Sequence, residues 1–198
     1  MKIEAHRMAG VDVQKRREKD DFYPTPEFAT QALLDREKFI GQVYECACGT
    51  GQMSEVIKKN GYDVISSDLI NRGYGETGID FLKTNKIYDN IITNPPFKLG
   101  QDFTLHGLKL VKKKLAIFNK LTFLEGIRRK EKIFNQNKLK NVYVFSKRVS
   151  FVRVGETKSA GGLIAFAWFV FDVNYNGKPT IDWIWETYLK LWLMWVVD

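Results

Sequence analysis

The stretch YDNIITNPPF, Tyr88 to Phe97, ends a strand-like apolar segment on an amide, two prolines and an aromatic ring. Two prolines remove two backbone donors and fix two φ angles. The residue before them, Asn94, is held out of helical space. The outcome is a stiff mount. The side-chain oxygen of Asn94 and the main-chain carbonyl of Pro95 become acceptors in fixed directions, and Phe97 offers a flat face. Prealigned acceptors need little reorganisation in a transition state. A stiff turn with Phe97 in the core accounts for the same residues structurally, so the rest of the chain must decide.

Three further stretches carry polar groups at strand ends. In YECACGTGQM a carboxylate, Glu45, precedes a turn with Gly49 and Gly51, which let the backbone turn sharply and approach a ligand. The loop lacks the third glycine and the Lys-Ser/Thr of phosphate loops, which argues against NAD and ATP. It suits a cationic or hydroxyl-rich cofactor, or is an ordinary strand-to-helix turn. In DVISSDLI, Asp68 lies 17 residues after Gly51, where an acid reaches ribose hydroxyls in nucleoside-binding α/β folds, or caps a helix. In GIDFL, Asp80 is placed to accept from an adenine amino group, or is a surface turn acid. Glu45, Asp68, Asp80 and Asn94 thus fall at successive strand ends, which line one crevice in an open α/β sheet.

Stepping along the chain, strand and helix patterns alternate. The first twenty residues are a polar arm. YPTPEFATQALLDR opens a helix, with Thr25 as N-cap, Pro26 in the first helical position and Phe28, Ala32 and Leu33 on one face. QVYECA, YDVISSD, YDNIITN and KLAIFN read as strands, and IDFLKTN as a short third strand or a turn of helix. MSEVIKKNG is helical and closed by Gly61. NRGYGETG is a glycine-rich loop. GQDFTLHGLKLVKK is weakly helical, and LTFLEGIRRKEKIFNQN is one helix with Phe123, Ile127 and Phe134 near one face. NVYVFS and GGLIAFAWFVFDV are late strands. The segment between them is a loop without a crossover helix, so they should pair antiparallel. The whole predicts an α/β domain over residues 21–198 with a mostly parallel sheet. The apolar, aromatic stretch 184–198 is too short to span a bilayer, and packing or a partner contact is expected of it.

The net charge of +8 is unevenly placed: Lys109 to Lys158 holds 15 lysines and arginines against 3 acids. A basic half points to a polyanion partner. No run of about 18 uncharged apolar residues suggests a membrane span, and MKIEAHRMAG has no secretory core. The two cysteines, Cys46 and Cys48, are too close for a comfortable disulfide and have no second cluster for a metal. A reducing cytoplasmic setting, prokaryotic or in a phage-infected host, is expected.

Together, DFYPTP, ECACGTG and NPPF, in this order, resemble the class I S-adenosylmethionine-dependent amino-methyltransferases, in particular the small phage-type DNA N6-adenine branch. Tyr23 to Pro26 match the leading cofactor motif. ECACGTG resembles DPxxGxG, with Glu45 for Asp and Cys46 where Pro is usual. NPPF matches (D/N/S)PP(Y/F/W) throughout. The resemblance implies a three-layer Rossmann-like methyltransferase fold with a seven-stranded, mostly parallel sheet and an antiparallel late strand. It implies S-adenosylmethionine as cofactor, held by Tyr23, Thr25, Glu45, Cys46, Gly49, Gly51, Asp68, Asp80 and Phe81. It also implies catalysis by Asn94, Pro95, Pro96 and Phe97, with Phe97 stacking on a base turned out of a duplex. Asn before the prolines favours adenine N6 over cytosine N4 by the same resemblance. No strong general base is required, and His6 and His106 are the only histidines.

About 100 residues follow Phe97, and the sheet uses most of them, so no separate target-recognition domain fits. The loop between the late strands, with Lys147, Arg148, Arg153 and Lys158 and the hydroxyls of Ser150, Thr157 and Ser159, is expected to contact the substrate backbone. Gly161 and Gly162 are candidate hinges. Alternatives are an RNA amino-methyltransferase (adenine N6 or guanine N2), a protein glutamine methyltransferase, and a non-catalytic cofactor-binding subunit. The aromatic tail offers a surface for a homodimer or a protein partner.

Overall fold

The structure is a computed structural model that describes residues 22–151 and 164–184. The polar arm, Arg153, Thr157, Lys158, Ser159, Gly161, Gly162 and tail residues 185–198 lie outside the described residues.

The elements are α1 (Glu27–Leu34), β1 (Val43–Glu45), α2 (Gln52–Lys59), β2 (Val64–Asp68), β3 (Glu76–Thr77), β4 (Tyr88–Thr93), α3 (Gly100–Leu110), β5 (Val111–Lys120), α4 (Ile127–Lys132), β6 (Leu139–Phe145), β7 (Phe166–Asp172) and β8 (Thr180–Ile184). They form one sheet in the order β3-β2-β1-β4-β5-β7-β6-β8. β7 runs antiparallel to both neighbours, with Val142↔Phe169 and Ile117↔Phe169 in register, and the remaining pairings are parallel. This is the α/β sheet with an antiparallel late strand that the sequence predicts, enlarged by one strand. β8 comes from the start of the C-terminal aromatic stretch and pairs with β6, Val142↔Ile181.

Both faces of the sheet are buried, which is why its central strands read as continuous apolar runs. Ile91, Leu115, Ile117 and Phe169 pack on one face with Tyr44, Phe81 and Phe103. Ile92, Ala116, Phe118 and Trp168 pack on the other with Ala29, Leu33, Met53 and Ile57 from α1 and α2. Neighbours along a strand point to opposite faces, so each contributes to a different layer.

Helix α1 is anchored through polar contacts as well as apolar ones. The Trp168 indole N–H donates to the Ala29 carbonyl at 2.7 Å. Just beyond the helix, Glu37 is 4% exposed and accepts from Lys114 Nζ at 2.6 Å, Asn141 Nδ2 at 2.5 Å and Tyr143 Oη at 2.7 Å. Burial alone would raise the Glu37 pKa, but these donors outweigh it and hold the carboxyl below its ordinary value. A buried charge is tolerated when it is paired and hydrogen-bonded in this way.

Three local expectations change. The helix starts at Glu27, with Pro26 as N-cap and no side-chain cap bond, so Thr25 is not the cap. Of the two readings of IDFLKTN the turn of helix holds, as a single 3-10 turn at Phe81–Lys83, and the third strand lies instead in the expected glycine-rich loop, at Glu76–Thr77. The expected helix after β5 is broken: 3-10 turns at Leu121–Leu124 and Phe134–Gln136 flank the short α4. The break falls at Gly126, whose φ of +105° no helix accommodates. Ile127 is consequently 78% exposed, whereas Phe123 is buried with Phe134 edge-on to it.

Trp168→Phe keeps much of the ring packing but leaves the Ala29 carbonyl without its donor. We expect it to cost about 1–3 kcal/mol, read as a lower urea midpoint at an unchanged slope.

Candidate active site

The chain runs from β1 outward through β2 to β3, then returns to β4 on the other side of β1. The topological switch point therefore lies between β1 and β4, the position where open α/β sheets bind ligands. Glu45 ends β1, and Asn94 follows β4. A cleft of about 610 Å³ opens here, lined among others by Tyr23, Thr25, Glu45, Cys46, Asp68, Asp80, Phe81, Asn94 and Pro96. The strand-end residues singled out in the sequence thus face one crevice.

On the β1 side the loop is set by glycine geometry. Gly49 and Gly51 have φ of +55° and +89°. A Cβ on Gly49 would lie 2.3 Å from the Phe22 ring, and one on Gly51 would lie 2.4 Å from the Tyr74 ring. Asp68 stitches the loop to β2: Oδ2 accepts from Gly49 N and Oδ1 from Ile70 N, both at 2.8 Å. Each carboxylate oxygen keeps acceptor capacity beyond one hydrogen bond. Asp80 caps the 3-10 turn by accepting from Leu82 N at 3.1 Å, and it pairs with Lys83 at 3.2 Å. Phe81 is buried against Phe103, with ring centroids 4.9 Å apart. Cys46 and Cys48 are free and buried, and burial pushes the Cys48 thiol up to about 12. Among the described residues no group of three or more His, Cys, Asp or Glu could hold a metal.

Glu45 is 2% exposed, and the Ser54 hydroxyl donates to its Oε2. Burial pushes its pKa from the ordinary 4.5 up to about 8, the Ser54 bond opposes this, and the neighbouring Asp68 charge adds to it.

The NPPF turn faces this carboxylate side from β4. Asn94 Nδ2 donates to the Tyr23 carbonyl at 3.0 Å and to Thr25 Oγ1 at 2.9 Å. A main-chain carbonyl can only accept, so these bonds fix which end of the amide is which. Asn94 Oδ1 is left buried without a partner. Thr25, freed from capping α1, is 5% exposed and serves Asn94 instead. Pro95 is buried. The Phe97 ring stacks on Tyr23 at 5.7 Å and 19°, tilts against Phe166 at 5.4 Å, and has Lys120 Nζ 4.8 Å from its centre. Phe151 joins this aromatic wall 5.5 Å from Tyr23.

Lys147 and Arg148 are exposed just after β6, which runs parallel to β4 through β5 and β7 and so ends at the same edge of the sheet. Several lining residues carried no motif signal. Leu69 is 59% exposed and lines the cleft beside Asp68. Arg72 lies 4.2 Å over the Phe22 ring at the cleft wall. Their adjacency to Asp68 and to the DFYPTP stretch was the available clue.

Neither protein-family models nor curated proteins give a match to this sequence. Solved structures do. A provisionally assigned RNA methyltransferase from Pyrococcus horikoshii is 17% identical, with 79% of this chain and 90% of that one covered and a TM-score of 0.59. The modification subunit of a provisionally assigned type I restriction enzyme from Vibrio vulnificus is 14% identical, with 98% and 56% covered and a TM-score of 0.55. This chain spans a little over half the length of that subunit. A provisionally assigned hemolysin from Lactococcus lactis is 11% identical, with 79% and 91% covered and a TM-score of 0.55. At these identities the likeness is one of fold: the chain has the Rossmann-like fold found in methyltransferases. No helix of the described residues is long and apolar enough to cross a membrane.

The raised Glu45 pKa predicts a pH signature. Its contribution to stability is fully present below pH 4.5 and is lost as pH rises through about 8. Glu45→Gln should flatten the fall between pH 5 and 9 and, at pH 9, exceed wild type by on the order of a few kcal/mol. Urea midpoints at a series of pH values measure this, and parallel curves for the two proteins would refute it.

Proposed function

We propose that the protein transfers a methyl group from S-adenosylmethionine to the exocyclic N6 amine of adenine in DNA. One observation carries the reading: the Asn94 amide is held by its nitrogen and leaves a buried, unpartnered oxygen at a stiff turn on the cleft. A buried acceptor without a donor costs free energy, and a substrate amine would supply the missing partner.

The donor set of the cleft fits the cofactor. Asp68 has acceptor capacity for ribose hydroxyls at the end of β2, and Asp80 for an adenine amine. Leu69 and Phe81 offer apolar faces for the ring, and Glu45 can lose its proton beside a cationic amino group. When bound, S-adenosylmethionine supplies an electrophilic methyl on a sulfonium, with a neutral leaving group. Asn94 Oδ1 and the Pro95 carbonyl accept the two amino hydrogens of the base, which localises the nitrogen lone pair for in-line attack; the N–C bond would form as the C–S bond breaks, and the methylated nitrogen would then release one proton to water. The prolines hold both acceptors before the substrate arrives, so orientation supplies much of the rate. Tyr23 lines the cleft and covers one face of Phe97, and the base is assigned to the rim where these two rings meet Asn94. Lys147 and Arg148, together with Arg153 and Lys158, are assigned to the substrate backbone, where contacts are salt-dependent and largely blind to sequence.

The likeness to a protein described as an RNA methyltransferase and to a restriction modification subunit supports a nucleic-acid substrate without choosing between RNA and DNA. The basic half of the chain disfavours a protein glutamine, and the intact NPPF motif disfavours a purely supporting subunit. Methyl-labelled S-adenosylmethionine, offered separately with duplex DNA, single-stranded DNA, RNA and protein, decides the matter after digestion. We expect label on N6-methyladenine from DNA, and a rate about 10²–10³-fold lower for Asn94→Ala. Label on RNA or glutamine alone would replace the substrate. Equal transfer by Asn94→Ala would remove the mechanism.

A further inference from the structure

A second, smaller cavity of about 170 Å³ opens on the other side of the NPPF turn, lined by Phe97, Lys98, Asn119, Lys120, Thr122 and Arg129. Its chemistry differs from that of the large cleft. Among the described residues three cations line it and no acid does.

Asn119, near the end of β5, is 3% exposed. Its Oδ1 accepts from the Lys120 amide at 2.7 Å, and its Nδ2 is buried without a partner. Gly100 lies against this amide, and a Cβ there would come within 2.2 Å of Nδ2. The glycine leaves room for this donor, which has no acceptor among the described residues. Arg129, on the short α4, turns back toward the residues that follow β5. Its Nε donates to the Phe123 carbonyl at 2.8 Å and its Nη2 to the Thr122 carbonyl at 3.4 Å. The guanidinium is thereby fixed, and its five N–H groups exceed what these carbonyls take up. Lys120 stands over the Phe97 ring, and Lys98 lines both this cavity and the cleft.

We infer that this cavity seats a phosphate group of the nucleic-acid strand that carries the target base. Guanidinium, ammonium, amide N–H and hydroxyl groups are what a tetrahedral anion with acceptor-only oxygens requires. A base presented to Asn94 would place its flanking phosphodiester beyond Phe97, on the side of Arg129. The inference rests on the nucleic-acid reading above and sharpens it. The substrate is recognised as a nucleotide within a strand, since neither a free base nor a protein amide brings an anion to this site.

The test uses the full chain with Arg129→Gln, Lys120→Gln and Asn119→Asp, the last isosteric and replacing a donor by an anion. Cofactor affinity without nucleic acid checks that each variant is folded. Binding of a labelled adenine-containing oligonucleotide is followed across salt concentrations. Each variant should bind about tenfold more weakly, with Asn119→Asp the weakest. The lysine and arginine variants should lower the salt slope by about one. An oligonucleotide with a neutral methylphosphonate beside the adenine should lose the same factor with wild type and little more with Arg129→Gln. Wild-type affinity and slope in folded variants would overturn the inference. So would inorganic phosphate that binds at Arg129 without displacing the oligonucleotide, since the cavity would then serve a free anion. A wild-type protein that neither binds nor methylates any nucleic acid would overturn the functional reading, and this inference with it. A wild type that methylates adenine while its variants bind unchanged would overturn this inference alone.

Discussion

The orientation of one amide depends on nearly everything else in this fold. Asn94 is pinned through its nitrogen to the Tyr23 carbonyl and the Thr25 hydroxyl, partners 71 and 69 residues earlier in the chain. The prolines can fix the backbone of the turn locally. They cannot decide which way the amide faces, because its χ2 rotation is broad. That decision needs the segment before α1 to lie across the end of β4. The segment lies there because α1 is docked on the sheet by Trp168, by its apolar face and by the Glu37 network. The 5% exposure of Thr25 follows from the same docking. A change far from the cleft that loosened α1 would therefore act first on the direction of Asn94 Oδ1.

The sheet order explains why polar groups collect without spoiling the core. Within the central strands both faces are mostly apolar and filled, and an amide there, such as Asn90, is taken up by backbone carbonyls. At the strand ends, where pairing stops, carboxylates and amides can meet solvent or ligand. The reversal between β1 and β4 opens a gap there. Glu45 marks the limit of this arrangement. It sits deep enough that burial dominates its titration, and the Ser54 hydroxyl is its compensating partner. A carboxyl poised between charged and neutral can meet a cationic ligand group at a smaller desolvation cost than a fixed buried charge.

Much of this was legible because it is local or periodic. The alternation of strands and helices, the antiparallel late pair and the Gly49–Gly51 turn each depend on a few neighbouring residues. The residues at successive strand ends follow from topology once the strands are placed, and they do line one cleft. What was hidden depends on tertiary partners. Thr25 looks like a helix cap until Asn94 claims its hydroxyl. Leu121 to Gln136 has helical spacing until the positive φ of Gly126 divides it, exposing Ile127 and bending Arg129 toward β5. β3 has only Glu76 and Thr77, too short for any pattern to announce it. β8 has no alternating pattern to announce it, because Ile181 and Trp183 are exposed and apolar residues there do not mark a buried face.

The hidden part also changes the meaning of the prolines. A flexible turn would suffice to carry one acceptor, but this turn borders two cavities of different lining. The cleft holds the carboxyl groups of Glu45, Asp68 and Asp80 together with Arg72 and Lys98, whereas Lys98, Lys120 and Arg129 line the smaller cavity with no acid among the described residues. In the proposed reaction a cationic methyl donor belongs to the first field and an anionic strand to the second. Attraction of either ligand to its own side would pull a soft turn away from the geometry that transfer requires. Pro95 is buried and Phe97 is clamped between Tyr23 and Phe166, so the acceptors of Asn94 and Pro95 hold their directions against both fields. In that reaction stiffness at NPPF would serve separation as well as aim, keeping the donor and the strand apart everywhere except at the amine.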